Sequence, residues 1–399
     1  MKIQVERDAL ADAVAWTARA LPARPALPVL AGMRLAASGS ELSLSSFDYD
    51  LSAQASIEVS CEEEGTVLVP GRLLAEITRS LPARPVEIST DGARVVVVCG
   101  SATFTLLPMP TEDYPSLPPM PPAAGSVGSD AFASAVAQSA TAASRDDTIP
   151  GLTGVRMEIE GDTLTLVSTD RYRLAVRELP WNPARPGLSA SVLVPARAML
   201  DTARSLTSGA EVLIALALPG EGDQGGEGMI GFEGAGRRTT TRLLGGEFPP
   251  YRSLLPDHAT AVGELATAPF SEAVKRVALV ATHNTALRVS FSPGQAVLEA
   301  GTGDEAQAVE ALEASYEFLG YAEGEQPAHA DSPESTFGPD GLEAAFNPTF
   351  LLDGLAAIDS DTARMAFTKP GRAVLITGKP GPGGVSDYRY LLMPIRLGT

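Results

Sequence analysis

The sequence predicts an α+β fold built from three tandem copies of one unit, each with two helices packed on an antiparallel sheet. Two kinds of segment recur three times along the 399 residues, always in the same order. Short apolar or alternating runs typical of strands lie between them. We place the three units at residues 1–122, 123–258 and 259–399.

The first recurring segment opens a helix. Asp8–Ala15 and Asp130–Ala137 are identical at six of eight positions, and Pro269–Val274 is a weaker third copy. In the first copy apolar residues recur at helical spacing, and Asp8 is suited to be the N-cap.

The second recurring segment is a short strand, then a proline, then an apolar helix. It occurs at Val67–Leu74, Val192–Met199 and Ala345–Leu352. Its prolines lie 125 and 153 residues apart, and proline is favoured where a helix begins.

Strand patterns between the two helices include Glu41–Ser45, Arg94–Val98 and Asp162–Leu166. A third kind of segment closes the first two units, at Glu112–Pro118 and Phe248–Pro256. Because several kinds of segment recur in the same order, an internal repeat explains the similarity better than a chance likeness between helix starts.

The joins between units are rich in proline, most clearly Leu117–Gly125. The third unit carries an insert at about 316–341 that is rich in Glu, Asp, Gly and Pro. We interpret this insert as a surface loop, because such a composition buries little apolar area.

Composition excludes several classes of protein. No apolar run reaches the length of a membrane span, and Cys61 and Cys99 are too few for a disulfide scaffold or a cysteine-built zinc site. Three scattered histidines make no metal centre, and no catalytic or phosphate-loop motif occurs. We therefore expect a cytoplasmic, non-enzymatic protein without metal or cofactor, and no membrane partner.

The net charge of −19 argues against nucleic acid as a partner, but it is a sum that ignores where the arginines point. Arg72 and Arg79 share one helix face, and Arg197 and Arg204 recur at the equivalent places. Six globules of about 120 residues in a ring leave a hole of about 35 Å, against about 20 Å for duplex DNA. A head-to-tail dimer of this chain therefore has room for DNA inside an acidic exterior.

The sequence resembles the bacterial DNA polymerase III beta subunits, the DNA sliding clamps, and among them those of high-GC Gram-positive bacteria. The resemblance covers nearly the whole chain. The segments that carry it are Met1–Asp8, Arg24–Leu30, Ser168–Ala175, Phe248–Pro256, Phe346–Pro348 and Met393–Leu397.

The resemblance implies a homodimeric ring of six similar domains that encircles double-stranded DNA without reading its sequence. It also implies a groove between the second and third units that takes peptides from the replicative polymerase, the clamp loader and other partners. The groove positions are Leu152, Thr169, Arg173, Leu174, Pro249, Leu254, Leu391, Met393, Pro394, Ile395 and Arg396. The DNA-facing positions are Arg24, Arg72, Arg79, Arg197 and Arg204, and the dimer contacts are Ile77, Phe104, Leu106, Leu279 and Val280.

The sequence departs from the family where Tyr172 stands in place of a common histidine and Ser253 in place of an arginine found in some clamps. One alternative is therefore a specialised second clamp that resists a groove-binding antibiotic. An alternative of another class is an acidic repeat scaffold that binds proteins and never meets DNA.

Overall fold

The computed structural model describes residues 1–207, 209–220, 228–281, 286–302, 306–321, 337–379 and 386–395. It contains six α-helices within these ranges, two for each predicted unit. They are α1 (Arg7–Thr17), α2 (Gly71–Ser80), α3 (Ser129–Ser139), α4 (Ala196–Ala203), α5 (Thr267–Val277) and α6 (Pro348–Ala356).

The strands of the first predicted unit are β1 (Lys2–Val5), β2 (Gly32–Ser38), β3 (Glu41–Phe47), β4 (Leu51–Glu58), β5 (Ser60–Glu63), β6 (Gly65–Pro70), β7 (Val86–Asp91), β8 (Arg94–Cys99) and β9 (Ala102–Leu106). Those of the second are β10 (Ala123–Gly128), β11 (Gly154–Glu160), β12 (Thr163–Thr169), β13 (Arg173–Pro180), β14 (Asn182–Pro183), β15 (Ser189–Pro195), β16 (Glu211–Ala217), β17 (Met229–Gly234) and β18 (Arg237–Arg242).

The strands of the third are β19 (Ala261–Ala266), β20 (Leu287–Ser292), β21 (Gln295–Thr302), β22 (Ala306–Glu313), β23 (Ser315–Phe318), β24 (Phe337–Gly338), β25 (Gly341–Phe346), β26 (Thr362–Phe367), β27 (Val374–Gly378) and β28 (Tyr388–Leu392). The α+β prediction with antiparallel sheets is confirmed.

The chain forms two compact units. The first comprises residues 1–133, 160–162 and 180–244, and the second comprises 134–159, 163–179 and 245–399. The predicted boundaries at 122/123 and 258/259 stay a prediction.

The first compact unit contains two sheets. Their strand orders are β5-β1-β7-β8-β9 and β14-β10-β16-β17-β18-β4-β3-β2-β6. Antiparallel pairing of β4 with β18, with Ala53 opposite Thr239, joins strands of the first and second predicted units into one sheet. Helix α1 packs on this framework through Leu10 and Val14, and α2 through Leu74 and Ile77, all four buried.

The second compact unit repeats this arrangement. Eight of its strands run in the order β11-β12-β13-β28-β27-β26-β19-β23, and five more in the order β22-β21-β20-β25-β24. Phe270 of α5 and Leu351 of α6 are buried in its core. The pairing of β13 with β28 again joins strands of two predicted units.

Helix starts differ from the sequence prediction in detail. Helix α1 begins at Arg7 with Glu6 as N-cap, so the prediction that Asp8 is the N-cap is wrong. Pro348 does open α6, and Asn347 caps it by accepting hydrogen bonds from the backbone N–H groups of Thr349 and Phe350. Pro70 and Pro195 stand one residue before α2 and α4.

The prediction of a loop over 316–341 is wrong at both ends. Tyr316 and Phe318 belong to β23 and pack on the core, and Phe337 lies in β24 and packs there as well. The Tyr316 hydroxyl donates to the carbonyl of Gly338 over 2.6 Å and so ties the two ends together. Residues 322–336 lie outside the described residues.

Among the described helices, none is both long and apolar enough to cross a membrane. Cys61 and Cys99 are both free thiols.

Candidate binding groove

A cleft of about 630 Å³ opens on the second compact unit. Strands β13 and β28 and the segments at 249–258 and 368–373 contribute its walls. Seven of the predicted groove residues line it: Thr169, Arg173, Leu174, Pro249, Leu254, Leu391 and Met393.

The other predicted groove residues do not line the cleft or cannot be placed. Leu152 is buried in a short 3-10 helix, where its carbonyl accepts from the N–H of Ser144. Pro394 and Ile395 are outside the lining, and Arg396 is outside the described residues.

The floor of the cleft is a pair of strands in antiparallel register. Leu174 of β13 lies opposite Leu391 of β28, and both are buried. They pack with Val167 and Tyr251 in a small apolar cluster that Phe248 and Leu255 partly cover. The segment after residue 247 is thereby held against the sheet.

The rim of the cleft keeps apolar surface in contact with water. Leu254 is 57% exposed, Tyr172 65% and Met393 42%. Exposed apolar side chains that converge on one cleft are typical of a surface that binds another molecule.

The turn between β12 and β13 presents Tyr172 to the cleft. Asp170 Oδ1 accepts hydrogen bonds from the N–H groups of Tyr172 and Arg173, each over 3.0 Å. The N–H of Met393 donates to the carbonyl of Tyr172 over 2.9 Å, so the two rim residues are fixed to each other.

Arg173 is a charged group that is 8% exposed. Its guanidinium contacts Asp170 over 2.9 Å and Asp353 over 2.6 Å and lies 4.2 Å from the ring centre of Phe350. Burial opposes its charge, but Tyr390, Asp353 and Asp170 outweigh that effect and raise the pKa of Arg173 above its ordinary value. Arg173 therefore stays charged and ties the turn to helix α6.

A second polar network holds the Phe248–Leu255 segment. Glu158 of β11 is buried and accepts hydrogen bonds from the Tyr251 hydroxyl and the Arg252 guanidinium, each over 2.8 Å. Arg156 contacts the same carboxylate over 2.7 Å.

These contacts shift two pKa values. Burial would raise the pKa of Glu158, but hydrogen bonds from Arg252 and Tyr251 and the charges of Arg156 and Arg252 outweigh it and lower that pKa. Burial and the Glu158 carboxylate raise the pKa of Tyr251 to about 12.

Sequence reasoning missed part of the lining. Asp257, His258, Lys369 and Arg372 all contribute to the cleft. The basic run after β26, which contains Lys369 and Arg372, was a signal that could have found one wall. Glu158 had no such signal, because an acidic residue within a strand pattern is ordinary.

All five predicted DNA-facing arginines are exposed. Arg72 and Arg79 lie on α2, Arg197 lies on α4 and Arg204 caps its end. The Arg72 guanidinium donates to the carbonyl of Pro22 over 3.1 Å.

The predicted dimer residues differ in accessibility. Ile77 and Leu106 are buried in the core of the chain itself, so their side chains offer little area to a second chain. Phe104 and Val280 are half-buried, and Leu279 is 84% exposed. Phe104 lies on β9, an edge strand, and β22 is an edge strand of another sheet.

The described residues contain no group of His, Cys, Asp or Glu that could hold a metal ion.

Comparison with known proteins matches nearly the whole chain to three family models. They are the N-terminal domain (residues 1–118), the central domain (126–250) and the C-terminal domain (252–326 and 329–396) of the DNA polymerase III beta subunit.

Individual relatives point to the same family. The chain is 57% identical over 399 residues to the beta sliding clamp of Streptomyces coelicolor, covering 100% of both chains. It is 41% identical over 398 residues to the beta sliding clamp homolog GriR of Streptomyces muensis, covering 99% of each. A griselimycin-bound sliding clamp from Pseudomonas aeruginosa matches with a TM-score of 0.84 at 26% identity, covering 100% of both chains.

We expect Arg173→Gln to lower the free energy of unfolding of the second compact unit by about 3 kcal/mol or more, because it leaves two carboxylates without their cation. The control is Arg276→Gln, which breaks the exposed pair with Glu310 and should cost far less, because exposed ion pairs add little to stability. Chemical denaturation followed by a fluorophore in this unit measures both. Equal losses would contradict a structural role for Arg173.

The lowered pKa of Glu158 makes stability depend on pH. An unfolded glutamate titrates near pH 4.3, and the folded carboxylate titrates below that value. Its stabilisation is therefore complete above about pH 5 and is lost as the pH falls through the folded pKa.

We expect the stability difference between the native chain and Glu158→Gln to be largest at neutral pH and to shrink below about pH 4. Glu317→Gln, at an exposed position, is the control. Melting temperatures across this pH range test it, and a difference independent of pH would contradict the assignment.

Proposed function

The chain belongs to the DNA polymerase III beta subunit family, and from this premise we propose how its own residues do the work of a DNA sliding clamp. A clamp is the processivity factor of a replicative polymerase and performs no catalysis. Two chains close a ring around duplex DNA, and a tethered polymerase is kept at high local concentration on its template. The match to all three domain models over nearly the full chain is the observation that carries this function.

The cleft on the second compact unit is the proposed tethering site. Leu174 and Leu391 form its apolar floor, and Leu254 and Met393 leave apolar surface at its rim. An extended peptide with apolar anchors buries that surface, and each anchor contributes about 1.5–3 kcal/mol on full burial. Polymerase and clamp-loader segments with a glutamine and leucine or phenylalanine anchors are the proposed occupants.

The exposed arginines of α2 and α4 are the proposed contacts with DNA. Arginine contacts to phosphate oxygens carry no sequence information, which suits a ring that must slide. Few such contacts also keep binding weak, because affinity for duplex grows with the number of phosphates neutralised.

The proposed dimer contact joins the β9 edge of one chain to the β22 edge of its partner, with Leu279 between them. Both edges carry unpaired backbone groups, and Val309 of β22 is 61% exposed. Pairing two sheet edges satisfies those groups and buries the apolar side chains beside them.

A specialised clamp with altered drug affinity is the second candidate. Tyr172 and Ser253, the two departures from the family pattern, both line the cleft. The greater identity to the Streptomyces coelicolor clamp than to GriR favours the replicative role. Replacement of a host's own clamp gene by this one, with and without a groove-binding antibiotic, tests the two. Growth only without the drug supports the replicative role, and growth in its presence supports the specialised clamp.

We expect the double variant Leu254→Ser, Met393→Ser to bind a fluorescent polymerase-tail peptide at least tenfold more weakly, a loss of about 1.4 kcal/mol. The control is Leu319→Ser, which removes an equally exposed leucine outside the cleft. Fluorescence anisotropy gives both affinities, and chromatography checks that the dimer persists. Equal affinities would place the partner site elsewhere.

Replacing Arg72, Arg79, Arg197 and Arg204 by Gln should weaken DNA binding and flatten its salt dependence. Each phosphate contact contributes about 0.9 to the slope of log affinity against log salt. A control with the same change in charge replaces four other exposed arginines: Arg84, Arg94, Arg145 and Arg185. Salt titrations on closed circular DNA measure the slope of log affinity against log salt for both variants. Equal slopes would contradict the proposal.

Leu279→Asp should convert the dimer into monomers that no longer stay on circular DNA, because a carboxylate without a partner is costly at an apolar contact. Leu319→Asp makes the same change at another exposed leucine and should leave the dimer intact. Light scattering gives the mass. A dimeric Leu279→Asp variant would remove this residue from the proposed interface.

A further inference from the structure

A polar cavity of about 360 Å³ lies on the first compact unit, and none of the roles above uses it. One wall is a sheet face on which Arg34 of β2, Ser45 of β3 and Gln54 of β4 stand side by side in register. The opposite wall is the Thr111–Leu117 segment, which includes Tyr114.

In the second repeat the equivalent arginine and tyrosine have a carboxylate partner. Arg34 is the third residue of β2 and Arg156 is the third residue of β11. Tyr114 opens a Tyr-Pro-Ser-Leu run, and Tyr251 opens the matching Tyr-Arg-Ser-Leu run. In the second repeat the arginine and the tyrosine meet on one carboxylate, that of Glu158.

The first repeat lacks that carboxylate. Glu158 is the fifth residue of β11, and the fifth residue of β2 is Ala36. Within the described part of the chain, the half-buried Arg34 guanidinium forms no ion pair. The buried Tyr114 oxygen is approached by the backbone N–H of Phe47, but the hydroxyl's own proton has no acceptor among the described residues. A buried donor without an acceptor costs about 1–3 kcal/mol.

The Tyr114 phenol can act as a hydrogen-bond donor to an added anion. Burial raises the pKa of Tyr114 to about 12, so the phenol keeps its proton as a donor at neutral pH. The neighbouring carboxylate, Asp48, accepts the N–H groups of Asp50 and Leu51 with its Oδ1, over 3.0 and 2.6 Å.

We propose that this cavity binds a small carboxylate anion, which pairs with Arg34 and accepts the Tyr114 hydroxyl as Glu158 does in the second repeat. Hydrogen bonds between a guanidinium and a carboxylate are charge-assisted and roughly twice as strong as neutral ones. Ser45 and Gln54 offer further polar groups to the rest of the ligand.

The size of the cavity allows a ligand larger than a single carboxylate group. Its volume equals that of about twelve water molecules at about 30 Å³ each, more than a bare carboxylate fills. A short dicarboxylate such as glutarate fits, and so does a glutamate side chain of a bound protein. The recognised group is the same in both.

Calorimetric titration of the dimer of this 399-residue chain with glutarate tests the proposal. Inorganic phosphate and a capped Gly-Glu-Gly peptide are titrated in parallel. Tighter glutarate binding identifies a free anion as the source, and tighter peptide binding identifies a protein side chain. Arg34→Gln should weaken carboxylate binding at least tenfold, whereas Arg94→Gln, at an exposed site away from the cavity, should leave it unchanged.

The sharpest variant is Ala36→Glu, which supplies the carboxylate from the chain itself. It should raise the melting temperature and abolish glutarate binding. Tyr114→Phe, which removes only the hydroxyl, should weaken binding several-fold and covers the case in which Arg34→Gln fails to fold. Absence of glutarate and peptide binding by the native chain, equal binding by Ala36→Glu, or a preference for phosphate would overturn the proposal.

Discussion

The antiparallel pairing of β13 with β28 is the constraint on which the binding cleft depends. Five residue pairs from Arg173–Leu392 to Arg177–Tyr388 hold strands that are distant in sequence in one register. A shift by one residue would turn Leu174 and Leu391 away from each other, since side chains alternate between the faces of a strand. The same register brings Met393 beside Tyr172, so floor and rim are set together.

Charge pairing fixes the cleft where strand pairing alone would leave it loose. Arg173 joins the turn before β13 to Asp353 of helix α6, and Glu158 joins β11 to Tyr251 and Arg252. Buried charges are costly unless paired, so each network holds only when all its members are in place. Walls held by such contacts would reduce the entropy lost when a peptide binds in the proposed tethering role.

The sequence was informative about architecture and less so about side chains. Repeats predicted three tandem units because recurrence in order does not depend on exact helix ends. The sequence prediction placed the N-cap of α1 at Asp8, but the extended backbone ends at Glu6. The Glu6 side chain makes no capping hydrogen bond, so the usual residue preference for an N-cap does not apply at this position. The sequence position of Ile77 does not show that it is buried in the core of its own chain. Apolar residues recur at the same helical spacing whether the helix packs on a core or on a partner chain. Leu254 and Leu174 look alike in sequence, yet one is 57% and the other 2% exposed.

The net charge of −19 and a role on DNA are compatible because electrostatic contact is local. Interactions between exposed charges decay over about 8 Å at physiological salt, so in the proposed role the arginines on α2 and α4 would act only on phosphates that lie near them. More distant carboxylates would lower the overall affinity without adding contacts of their own. For a ring this balance is favourable: closure around the duplex prevents escape, so the arginines need only permit movement, and strong attraction to phosphate would slow it.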